Sequence, residues 1–153
     1  MRPDRAVDSI QWIDLPRAPA RDLATLERLY FAWVPRIGGH LAAPDGAEGS
    51  ARPLTIEVQA PGRPPAIRMT PPEEAPGRRA RRILGGLLAY AGGELAFEVG
   101  PAPERADHVR LTVALRAFRP RMPLPVYLMT QRRLHERSTF AFLREVARTV
   151  PPV

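Results

Sequence analysis

His135 is the side chain in this sequence best suited by type and setting to proton chemistry near neutral pH. An imidazole titrates close to neutrality, so inside a cavity it can orient a carbonyl group or move a proton. Tyr127 and Gln131 precede it by eight and four residues, a spacing that places all three on adjoining strips of a helix. His135, Tyr127 and Gln131 are therefore the candidate catalytic residues. Each has a plainer alternative. His135 can be a structural residue bonded to a backbone carbonyl or a strand side chain, and Tyr127 can pack under the neighbouring prolines with its hydroxyl at the surface. Thr139 shares the apolar arc with His135, and Arg132 lies on its flank. A buried guanidinium must be paired, so the expected partner of Arg132 is Glu57, Glu94, Glu98 or a ligand carboxylate, unless it snorkels to water.

Other chemistries are poorly supported. The sequence has Cys 0, which excludes disulfides, thiol nucleophiles and cysteine-ligated metals. His40, His108 and His135 are far apart and form no HxH or HExxH pattern, so no metal and no cofactor is expected. No Ser sits in a GxSxG elbow, and Gly85-Gly86 and Gly92-Gly93 lack the spacing of a phosphate cradle. Glu73-Glu74, beside prolines, read as solvated loop carboxylates.

The net charge is +7, and all 23 basic residues are Arg. Neither Lys nor Asn occurs, a usage that a GC-rich genome produces without selection for phosphate binding. The densest basic run, Arg78-Arg79-Ala80-Arg81-Arg82, contains no aromatic and follows the sequence PPEEAPG. It reads as a solvated loop edge, with a patch for nucleic acid or an acidic partner as the alternative. A dedicated nucleic-acid binder would interleave aromatics with its basic residues, so nucleic acid is not the expected partner.

These residues need a scaffold. A chain of 153 residues suits one domain spanning 1–153. No window approaches the roughly 18–20 apolar residues needed to cross a bilayer. The start, MRPDRAVDSI, lacks a secretory apolar core, so the expected compartment is the cytoplasm. Residues 7–15 read as a strand with apolar groups on both parities. Over 21–34, Leu23, Leu26, Tyr30, Trp33 and Val34 make a helical stripe that Pro35 stops or bends. Residues 43–53 read as a flexible loop. Strands are expected at 54–60, 66–70, 81–90 (with Gly85-Gly86 marking a bulge, bend or close approach), 94–99 and 109–117. Their short connections imply an antiparallel meander. From Pro125 to Thr149 there is neither Gly nor any further Pro, which predicts a helix of about 37 Å at about 1.5 Å per residue. Leu128, Phe142, Leu143 and Val146 share its apolar side; Arg133, Arg137, Arg144 and Arg148 share the opposite one.

The order of elements, and above all the terminal stretch LTVALRAFRPRMPLPVYLMTQRRLHERSTFAFLREVA, resembles the START-like, or helix-grip, superfamily. That group includes polyketide cyclases, Bet v 1-type proteins and many bacterial ligand-binding domains. The stretch looks like their last strand, Pro-rich corner and closing helix. The sequence departs from the family where APDGAEGS and the Pro-rich turns leave few residues for a second short helix. The resemblance implies an α+β fold, a curved antiparallel sheet wrapped around a long C-terminal amphipathic helix, with a shorter N-terminal helix. It also implies a cavity between sheet and helix.

The expected function is binding of a small, largely apolar ligand, lipid-like or polyketide-like, with or without cyclase- or dehydratase-type turnover. Trp12, Trp33, Phe97, Leu128 and Phe142 are the candidate walls, with Arg132 and Thr139 as further ligand contacts. The alternative is a non-enzymatic interaction protein that docks an acidic partner or nucleic acid on its arginines.

Overall fold

The computed structural model describes residues 6–19, 22–38, 53–56 and 65–150, without side chains at 33–38, 124 and 131. In chain order the elements are β1 (Val7–Leu15), α1 (Leu23–Gly38), β2 (Leu54–Ile56), β3 (Ile67–Met69), β4 (Glu73–Ala75), β5 (Arg78–Gly85), β6 (Glu94–Pro101), β7 (Val109–Phe118), α2 (Leu124–Met129) and α3 (Gln131–Thr149). The strands form one 7-stranded sheet in the order β1-β7-β6-β5-β3-β2, with β4 hairpinned onto β5. Every pairing is antiparallel. The first and last strands are therefore neighbours, a closure that a simple meander does not anticipate.

Alternation decides which side chains face the helices. Leu95 and Phe97 on β6 stand opposite Leu115 and Val113 on β7, and all four are buried. Leu15 and Leu111 extend this face. Complete burial of such a side chain contributes roughly 1.5–3 kcal/mol. Helix α1 begins at Asp22, whose Oδ1 accepts the Thr25 N–H at 2.7 Å. It then runs through Pro35 to Gly38 rather than ending at the proline. Pro35 lies near the C-terminal end, where its missing donor removes a single bond.

On the other face of the sheet, Ala80, Ala96 and Ala114 line up in register and are buried although no helix among the described residues covers them. Arg78 bonds Glu94 and Glu98, and Arg116 bonds the same two carboxylates, so the charged side chains cross over the alanine row. Trp12 lies on this outer face as well.

Further boundaries differ from expectation. The strand expected at 81–90 instead spans Arg78–Gly85, so the arginine run is not a loop edge. It forms a hairpin with Glu73–Ala75, which also belong to a strand. The chain turns after Gly85 because Gly86, at φ +148°, lies directly against the Ala66 backbone. The terminal helix is broken at Thr130 (φ −120°, ψ −81°) into α2 and α3. Thr130 Oγ1 donates to the Val126 carbonyl at 2.6 Å, the kind of side-chain back-bonding that bends helices without Gly or Pro. The expected loop at 43–53 and the strand residues 57–60 lie outside the described residues, apart from Pro53.

Candidate functional site

A cavity of about 90 Å³ lies between the sheet, α1 and the α2–α3 arm. Its lining is mostly apolar, with Phe31 from α1, Met69, Ile83, Leu95, Leu115 and Phe118 from the sheet. Three polar side chains join them: Tyr30, Tyr127 and His135.

Tyr30 is the centre of this arrangement. Its ring meets Phe31, Phe97 and Phe142 edge-on, with centroids 5.3, 5.3 and 5.4 Å away. Its hydroxyl lies 3.3 Å from Thr139 Oγ1 and 3.4 Å from His135 Nδ1. Burial pushes the phenol up to about 12. Thr139, Tyr30 and His135 thus form a three-membered polar chain linking α3 to α1.

His135 is partly exposed as a residue, but its Nε2 is buried and has no hydrogen-bond partner within the protein. Burial lowers its pKa to about 4, so the imidazole is neutral at pH 7. Tyr127 is 1% exposed, with its ring 5.6 Å from that of Phe118. Its hydroxyl too is buried without a partner, and burial pushes it up to about 12. Native proteins pair nearly all buried polar atoms, so two unpaired ones on one apolar cavity call for an explanation.

The other sequence candidates fall in different places. Trp12 is not a cavity wall: it is 47% exposed on the outer face, with the Arg110 guanidinium 3.5 Å above its ring. Arg110 in turn holds Asp14 through two bonds of 2.8 and 3.1 Å. Because β1 carries apolar residues at both parities, only its pairing with β7 determines which set turns inward. Leu128 is 37% exposed and is not a wall either, since Tyr127 takes the inward position on α2. Arg132 Nε bonds Glu136 at 2.8 Å one turn along α3, a surface pair rather than a cavity cation. Phe97, Phe142 and Thr139 are buried behind Tyr30, which they hold in place, and do not line the cavity. The side chains of Trp33 and Gln131 lie outside the described residues, as do Glu57 and His40.

Two features escaped the sequence reading. Tyr30 was visible only as one member of a helical stripe, although that stripe is what turns its hydroxyl inward. The other is a buried ionic cluster. Glu27 of α1 bridges Arg79 and Arg81 of β5 at 3.2 and 2.8 Å, with side-chain exposures of 1%, 4% and 1%. Arg79 also reaches Glu74, and Arg81 donates to the Thr70 carbonyl at 3.1 Å. The available signal was parity: Arg79 and Arg81 alternate in phase with Ile83, which is buried. Among the described residues, no group of His, Cys, Asp and Glu could hold a metal ion, and no helix is long and apolar enough to cross a membrane.

This architecture has counterparts among solved structures. An aromatase/cyclase, Zhui, from a Streptomyces strain superposes with TM-score 0.52 at 14% identity, covering 94% of that chain and 95% of this one. Ara h 8.0201 matches with TM-score 0.52 at 12% identity, covering 98% of that chain and 95% of this one. Major latex-like protein 151 from Panax ginseng gives TM-score 0.50 at 13% identity, covering 99% of its own length and 96% of this chain. The chain has a START/Bet v 1-like fold. No protein-family model matches the sequence, and no curated protein matches it by sequence search. At these identities the START/Bet v 1 likeness is one of architecture, and it transfers no reaction.

Proposed function

We propose that the chain, folded as one domain, binds a small, largely apolar molecule in the cavity between the sheet and the α2–α3 arm. Tyr127 and His135 supply the polar contacts. The observation that carries this reading is the pair of buried, unpartnered polar atoms, Tyr127 Oη and His135 Nε2, on a cavity otherwise walled by apolar side chains. Ligand sites have this composition, an apolar lining with a few placed polar groups. The resemblance to the START-like superfamily implies a cavity in this position, between sheet and closing helix. Burial keeps the His135 imidazole neutral at pH 7, so it can donate or accept a hydrogen bond to a ligand. The docking alternative loses its densest basic run, because Arg79 and Arg81 are buried against Glu27.

The test is a thermal-shift and calorimetric screen of small aromatic, alicyclic and lipid-like compounds against the wild type and the variant Tyr127→Phe. Binding that saturates near one equivalent and weakens in the variant supports the reading. If no compound class raises the melting temperature, the cavity is a packing defect and the reading is wrong.

A further inference from the structure

Resting on that reading, we infer that the cavity selects an uncharged group no larger than about one ring, carrying a single carbonyl or hydroxyl oxygen. Tyr127 Oη and His135 Nε2 receive that oxygen, and carboxylates and plain hydrocarbons are discriminated against.

Charge is the first argument. No charged side chain is among the described residues that line the cavity. Arg132, the cation flanking the apolar arc that holds His135, is tied to Glu136 outside it. A carboxylate entering this space would shed its water without gaining a counter-ion, a penalty that hydrogen bonds from two neutral groups do not offset. The opposite case fails for a different reason. A hydrocarbon of the same shape leaves both buried polar atoms as unsatisfied as they are in the protein alone, whereas an oxygen-bearing group satisfies them. A site built to bond an oxygen rejects the analogue that lacks it.

The polar chain behind His135 explains why carbonyl and hydroxyl oxygens are both accepted. Tyr30 has one hydroxyl proton and two neighbours, Thr139 Oγ1 and His135 Nδ1. If Tyr30 donates to Nδ1 and accepts from Thr139, the neutral imidazole carries its proton on Nε2 and donates to a carbonyl oxygen. If Tyr30 donates to Thr139 and accepts from Nδ1–H, then Nε2 is bare and accepts from a hydroxyl. The chain is self-consistent in both directions, so the ligand selects the tautomer.

Size completes the description. The cavity of about 90 Å³ is smaller than the dry cavity of about 150 Å³ that takes up benzene in another protein. A space of that size among the described residues limits the buried part of a ligand to no more than one small ring.

The experiment titrates the full chain, with ¹⁵N-labelled histidine, with cyclohexanone, cyclohexanol, cyclohexane and cyclohexanecarboxylate, following Kd by calorimetry and the His135 tautomer by NMR. The expected result is that ketone and alcohol bind about tenfold or more tightly than cyclohexane, with no saturable binding of the carboxylate. The ketone should fix the Nε2–H form and the alcohol should raise the Nδ1–H population. Tyr127→Phe, which keeps the ring, should narrow the preference for oxygen-bearing probes. The probe series on the wild type stands alone should that variant fail to fold. If all the probes, carboxylate included, bind equally, the cavity binds ligands and the selectivity inferred here is refuted. If none binds while larger apolar compounds do, the size and oxygen preference are refuted. If nothing binds at all, the binding reading itself falls.

Discussion

Replacing Glu27 with alanine leaves Arg79 and Arg81 inside the fold without the carboxylate that bridges them. All three side chains are 4% exposed or less, so solvent screening offsets little of the loss. Removing one member of a buried ion pair costs about 3–5 kcal/mol, because the charges left behind stay desolvated. Arg79 keeps Glu74, which is 62% exposed and brings solvent to one end of the cluster, and this places the expected loss near the lower end, about 3 kcal/mol. At about 2–4 °C per kcal/mol for a domain of this size, the melting temperature should fall by about 6–12 °C. The assay is urea unfolding followed by circular dichroism, with Arg82→Ala as a surface control. Arg82 pairs with Glu73 at exposures of 69% and 61%, and its loss should change stability by less than about 1 kcal/mol. If Glu27→Ala is no more destabilising than Arg82→Ala, Arg79 and Arg81 are solvated and their placement in the core is wrong.

Three further outcomes are expected. His135 is held near a pKa of about 4 against an ordinary value of 6.5, so below pH 6.5 the unfolded chain binds protons that the folded one refuses. Stability is complete above pH 6.5 and declines as the pH falls toward 4, by about 3 kcal/mol in total; urea midpoints across this range should show a slope that His135→Gln flattens. Tyr127→Phe removes a buried hydroxyl without a partner, so the ligand-free protein should keep or gain about 1 kcal/mol while ligand affinity drops, an opposition that denaturation and calorimetry on one sample would reveal. Gly93→Ala should lose about 1–3 kcal/mol in chemical denaturation, because Gly93 has φ +83° and an added Cβ would sit 2.5 Å from the Ala117 carbonyl oxygen.

The amino-acid pattern alone determined the class of the fold and its direction of burial. Alternation of Leu95, Phe97 and Val99 against Glu94 and Glu98 sets two faces, and a strand with period two can satisfy it in one way only. The apolar side of the C-terminal helical stretch places His135, Thr139 and Phe142 toward the sheet by the same local logic, as the stripe through Leu26 and Tyr30 does for α1. Tertiary structure decided what local periodicity cannot. Trp12 went outward because β1 pairs with β7, a contact between the two ends of the chain that assigns one parity of an ambiguous strand to the core. Arg79 and Arg81 went inward because Glu27, 54 residues from Arg81, supplies the carboxylate that makes their burial tolerable. The break at Thr130 separates Tyr127 from the helical register of His135, and the cavity reunites them. Periodicity depends on neighbours a few residues away, whereas pairing, register and charge neutralisation depend on partners brought together only by the folded chain.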